Sequence, residues 1–80
     1  MFIVVNWENT SEPTAKKMIQ KIEDTGIELI GANMGEMLCF TNQESLDPIK
    51  ETITDIVHEH NQGMWCEVKE VSEESIQHLL

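Results

Sequence analysis

Ile27-Glu28-Leu29-Ile30-Gly31-Ala32-Asn33-Met34-Gly35-Glu36-Met37-Leu38-Cys39-Phe40-Thr41 holds two apolar runs separated by four turn-prone residues. Ile27 to Ala32 and Met37 to Thr41 read as strands. Asn33-Met34-Gly35-Glu36 between them has the length and the glycine of a hairpin turn. An antiparallel pair in the middle of the chain makes everything on either side count as a flank.

Upstream, Ala15, Met18, Ile19 and Ile22 recur at helical spacing. Ser11 is placed to cap that helix and Pro13 sits in its first turn. Gly26 ends it, because glycine takes the left-handed cap conformation at little cost. Before the helix, Phe2-Ile3-Val4-Val5-Asn6-Trp7 is β-branched and apolar at successive positions, as in a central strand covered on both faces. Downstream, Asn42 to Ser45 is a polar connection. Asp47 and Pro48 then open a second helix, Asp47 as cap and Pro48 at the first helical position. This helix runs to about His60 and closes at Asn61-Gln62-Gly63. Met64 to Val71 reads as the last strand, and Ser72 caps a short terminal element carrying Ile76, Leu79 and Leu80.

The order is strand, helix, strand, strand, helix, strand, with a short C-terminal extension. It predicts an α+β, ferredoxin-like βαββαβ domain spanning residues 1–80, a four-stranded antiparallel sheet with both helices on one face. The connections are as short as that arrangement needs. Because the first strand is apolar on both sides, something should cover the second sheet face. Ile76, Leu79 and Leu80 can do so, within the chain or across a homodimer. A domain of this size buries only about 60% of its unfolded surface, so a partner or second copy would add to stability.

Composition is globular, with 40% hydrophobic and 25% charged residues, but the signs are unbalanced. Fifteen Asp and Glu face five Lys and no Arg, a formal charge of −10. Such a surface repels phosphate, which argues against direct binding of DNA or RNA and points to a basic protein surface as the complement. No segment reaches the roughly 18 apolar residues of a membrane span, and the start lacks a secretory pattern. Two cysteines, Cys39 and Cys66, fit reduced thiols in a cytoplasmic protein, the host cytoplasm if virus-encoded.

The second helix carries the main functional signal. Asp47, Glu51, Asp55 and Glu59 place a carboxylate at every fourth position, fanning over about 120° opposite Ile49, Ile53, Ile56, Val57 and His60. Successive acids rise about 6 Å along the axis, close to the phosphate spacing of a nucleic-acid strand. Like charges four apart repel by about 0.2–0.5 kcal/mol per pair. The bland reading is a solvated face, neutralised in part by Lys16, Lys17 and Lys21 of the first helix. The sharper reading is a partner-binding face made of Asp47, Glu51, Asp55 and Glu59. Met34 at the turn tip and Trp65 would then be apolar anchors, and Glu67, Glu70, Glu73 and Glu74 an extension of the charge. In that arrangement charge selects the partner and speeds association, while apolar contacts supply affinity.

Other chemistries are poorly served. His58 and His60 lie about 200° apart around a helix, and neither cysteine has zinc-type spacing, so no metal or other cofactor is expected. Cys66 with His60 is the one thiol and base pairing available, and no phosphate loop or nucleophile elbow occurs. A non-enzymatic protein is expected.

Met1-Phe2-Ile3-Val4-Val5-Asn6, with the element order, resembles the small CRISPR-associated adaptation nucleases of ferredoxin-like fold. That family is expected to carry an Asp at the end of the first strand, where this chain has Asn6, a much weaker metal ligand. The resemblance therefore implies the fold and leaves the metal chemistry in doubt. In size and charge the chain is also similar in outline to virus-encoded inhibitors of host defence, anti-CRISPR proteins and DNA mimics among them. The preferred expectation is a small acidic inhibitor of a basic, nucleic-acid-binding partner protein. The alternatives are a dimeric ferredoxin-like regulatory or assembly domain that binds a small ligand, and a small nuclease-like enzyme.

Overall fold

A computed structural model describes every residue except 9, 34, 61, 62, 64 and 78–80. Its elements follow in the order β1 (Phe2–Trp7), α1 (Glu12–Asp24), β2 (Glu28–Ala32), β3 (Glu36–Phe40), α2 (Leu46–His60), β4 (Cys66–Val71) and a short α3 (Glu73–Ile76). The strands form one antiparallel sheet in the order β2-β3-β1-β4. This is the ferredoxin-like topology, with β1 central.

Local chemistry explains the boundaries of α1. The Ser11 hydroxyl accepts from the Thr14 N–H, and Pro13 stands in the first turn, where no amide is needed. At the far end Gly26 takes φ +96°, and its N–H closes on the Glu23 carbonyl at 2.9 Å. The β2–β3 turn is held by Asn33. Its N–H reaches the Glu36 carbonyl at 2.9 Å, and its side-chain oxygen accepts from the Gly35 N–H at the same distance.

Strand parity sorts the sheet into two faces. Ile3, Val5 and Trp7 of β1, Met37 and Cys39 of β3 and Val68 of β4 point into the core. There they meet Ala15, Met18 and Ile22 of α1 and Ile49, Ile53, Ile56 and Val57 of α2, so both helices cover this one face. The opposite face of β1, Phe2, Val4 and Asn6, is half-buried. Leu38, which alternates away from the core, is still only 8% exposed, and Ile76 of α3, 3% exposed, is buried apart from the main core cluster. The C-terminal extension therefore contributes a buried apolar group. Leu79 and Leu80 lie outside the described residues.

Several boundaries differ from the sequence reading. α2 begins at Leu46, so Asp47 stands within the first turn instead of capping it. Leu46 packs against the core, and the helix starts with it, one residue before Asp47. β4 begins at Cys66, where pairing with Trp7 starts, which leaves Trp65 ahead of the strand. β2 carries a bulge: Leu29 pairs with Cys39 and Gly31 with Leu38, and Ile30 is the extra residue. A bulge kinks an edge strand and makes it a poorer template for further pairing. Cover on both faces of β1 is uneven, complete on the helix side and partial on the other.

Candidate functional site

The outer face of α2 is built by the same periodicity that buries its inner face. Ile49, Ile53, Ile56 and Val57 are buried, and Asp47, Glu51, Asp55 and Glu59 are all exposed on the opposite side. One of the four has an internal counter-ion: Lys21 of α1 lies 3.7 Å from a Glu59 carboxylate oxygen, with both side chains more than half exposed. The α1–α2 packing anticipated for the lysines thus neutralises one end of the row. Among the described residues, Asp47, Glu51 and Asp55 have no lysine within 4.0 Å. The other two ion pairs, Lys16 with Glu12 and Lys69 with Glu67, lie elsewhere on the surface. The Lys16 ammonium beside Glu12 holds that carboxyl below the usual carboxylate range and raises the lysine in return.

Trp65 is 51% exposed, the most exposed large apolar side chain among the described residues. Its carbonyl accepts from the Glu8 N–H at 3.4 Å, and the neighbouring Trp7 N–H donates to the Gly35 carbonyl at 3.0 Å. These two bonds bring the β1–α1 connection, the hairpin turn and the approach to β4 together at one end of the sheet. The C-terminal end of α2, with Glu59, lies at that same end. Asp47 begins the row at the opposite end, beyond Phe40 and Thr41. Met34 falls outside the described residues, between Asn33 and Gly35 of the turn.

The residues weighed for other chemistry are placed as follows. His60 Nδ1 lies 2.9 Å from the Ile56 carbonyl, and since a carbonyl only accepts, Nδ1 carries the hydrogen. Cys66 is half-buried, and burial pushes its thiol up while a hydrogen bond with Thr54 pulls it back. Cys39 is fully buried, and its thiol is pushed up to about 12, chiefly by burial with a smaller contribution from Glu23. Neither environment lowers a thiol pKa, which is what an activated nucleophile requires. No group of three His, Cys, Asp or Glu among the described residues is placed to hold a metal ion. No helix among them is long and apolar enough to cross a membrane.

Two features escaped the sequence reading. Trp7 is 4% exposed, and its indole N–H is buried without a hydrogen-bond partner among the described residues, a deficit of the kind that costs about 1–3 kcal/mol. The other is a hollow beside Phe2 and Phe40, whose rings meet edge-to-face with centroids 5.2 Å apart. It depends on the register Phe2↔Phe40, which joins residues far apart in the chain.

No protein-family model matches the chain, and neither a curated protein nor a solved structure does.

Proposed function

We propose that this protein is a non-enzymatic acidic binder that occupies a basic, nucleic-acid-binding surface on another protein and blocks it. The observation that carries the reading is the outer face of α2. Three carboxylates in a row, at Asp47, Glu51 and Asp55, stand exposed on a helix anchored by four buried aliphatic residues and have no lysine within 4.0 Å among the described residues. Fixed negative charges about 6 Å apart can stand in for successive phosphates in a cationic groove. The partner's lysines and arginines would exchange their counterions for them, as they do on nucleic acid. Exposed Trp65, beyond the Glu59 end of the row, offers the apolar contact from which affinity is drawn.

The test is affinity capture with the wild-type protein and the Glu51→Lys/Asp55→Lys variant side by side, eluting across about 50–200 mM salt, where screening of surface charge grows steeply. The captured protein is then assayed for nucleic-acid binding with and without the chain added. Loss of capture in the variant, together with release of nucleic acid by the wild type, supports the reading. Equal capture by both proteins at physiological salt removes it.

A further inference from the structure

The two edges of the sheet are finished differently. β2 carries the bulge at Ile30, which spoils it as a template for another strand. β4 pairs with β1 without a break from Cys66 to Val71 and has no strand on its other side. The bond from the Glu8 N–H to the Trp65 carbonyl, at 3.4 Å, continues the β1–β4 register and fixes which backbone groups face which way. Bonded and non-bonded pairs alternate in an antiparallel ladder, so Glu67, Lys69 and Val71 turn their amides and carbonyls towards β1. The Trp7 to Gly35 and Thr41 to Met1 bonds, which turn the odd-numbered residues of β1 towards β3, give the same parity. The amides and carbonyls of Cys66, Val68 and Glu70 therefore point outward. Among the described residues no loop, turn or cap bond reaches them.

We infer that this edge pairs with the β4 edge of a second copy of the chain, antiparallel and centred on Val68. Backbone parity and charge select the same register. The outward groups of Cys66, Val68 and Glu70 can bond only to one another, so the strands meet centred on residue 67, 68 or 69. Centred on Glu67, they set that carboxylate against its own copy. Centred on Lys69, they set two ammonium groups together. Centred on Val68, Cys66 bonds Glu70 and Val68 bonds its own copy, while Glu67 faces Lys69 of the second copy at two symmetric places. Those facing positions are the non-hydrogen-bonded ones, where Cα atoms stand about 4.5 Å apart and side chains approach most closely. Glu67 and Lys69 are exposed on the sheet face away from the core, opposite Asn6 and Val4, and lie 3.6 Å apart within one chain. A lysine on an edge strand guards it against pairing. With Glu67 two residues before it, Lys69 rejects the neighbouring registers and fits this one. The product is one continuous sheet with a two-fold axis at Val68 and every helix on the same face. The inference is independent of the basic partner, since no residue of the α2 row enters the pairing.

The experiment is sedimentation velocity on the full chain in about 0.3 M salt, which screens the repulsion between two copies of charge −10. The expected result is a reversible monomer–dimer equilibrium between about 10 μM and 1 mM. Glu67→Lys and Lys69→Glu, each alone, set like charges opposite one another at both places and should weaken dimerisation about tenfold. An equimolar mixture of the two variants should recover it, because every lysine then faces a glutamate across the edge. Should either reversal fail to fold, the exchange Glu67→Lys/Lys69→Glu in one chain decides, since it restores opposite charges at both places and should dimerise as the wild type does. A chain that stays monomeric at every concentration overturns the inference. So does a dimer indifferent to both single reversals, or folded variants that fail to recover on mixing.

Discussion

Reversing two charges on α2 should make the protein more stable and less able to bind. In Glu51→Lys/Asp55→Lys the formal charge falls from −10 to −6, two reversals of two units each. The row now contains three repulsive i,i+4 pairs: Asp47 with Glu51, Glu51 with Asp55, and Asp55 with Glu59. After substitution the first and third become attractive and the middle pair stays repulsive. Each reversed pair swings by about 0.4–1 kcal/mol, so α2 gains roughly 1–2 kcal/mol. The Glu59 end gives the smaller share, because that carboxylate is already drawn to Lys21 at 3.7 Å. Both sites are exposed and neither has a lysine within 4.0 Å among the described residues, so no ion pair is lost to offset the gain. For a domain of this size 1 kcal/mol raises Tm by about 4–8 °C. Thermal unfolding followed by circular dichroism at low and at physiological salt reads this directly, and the rise should shrink as salt screens the pairs. Affinity for the basic partner should fall in the same variant, chiefly through a slower association rate. A variant that unfolds earlier than the wild type would refute the argument, since the carboxylates would then be holding the fold together.

Three further outcomes follow from the core and the caps. Gly26→Ala should cost about 1–2 kcal/mol in urea unfolding, because φ is +96° there and an L side chain is strained in that region. Nothing lies within 4 Å of the added methyl, so the loss is backbone strain alone and Gly26→Asn should lose less. Ile53→Ala, at a fully buried position of α2, should cost about 2–5 kcal/mol by denaturant midpoint, a large part of what a domain of this length has. Cys39 makes stability fall in alkali. Its folded thiol is raised from 9.0 to about 12, so its contribution is complete below pH 9 and is lost as pH climbs towards 12, where the unfolded chain ionises first. Cys39→Val should flatten that decline in urea titrations, and an unchanged alkaline slope would remove the explanation.

The fold was legible because its punctuation is local. Ser11, Pro13 and Gly26 each act on neighbouring backbone groups, and the structure puts them where their chemistry requires. The Asn33 to Glu36 turn is of the same kind. Features set by distant contacts were harder to read. The start of α2 depends on Leu46 finding the core, and the first residue of β4 on where Trp7 pairs. The bulge at Ile30 did leave a signal, a glycine inside a strand at position 31, which is a common mark of such an irregularity. The acidic row was visible from periodicity alone. Which of its members meets a lysine was not, because Lys21 and Glu59 are brought together by helix packing. The aromatic hollow could be found only once strand order and register were known.

Charge distribution gives the strongest reason to look outside the molecule for what completes it. Three lysines are engaged, by Glu12, Glu59 and Glu67, and twelve of the fifteen carboxylates have no lysine within 4.0 Å among the described residues. Solubility of a small domain needs a net charge of only about 2–8. It sets no demand on arrangement, and interleaved signs would satisfy it with less self-repulsion. Here Asp47, Glu51, Asp55 and Glu59 recur at every fourth position on one exposed helix face instead. Trp65, the most exposed large apolar side chain among the described residues, lies beyond the Glu59 end of that row. Like charges four apart lower the stability of the isolated helix, and contact with a cationic surface would relieve that repulsion. If the reading is right, a basic partner should raise Tm as mass action requires, and most of that rise should vanish in Glu51→Lys/Asp55→Lys. A partner that stabilises both proteins equally would place the contact elsewhere on the molecule.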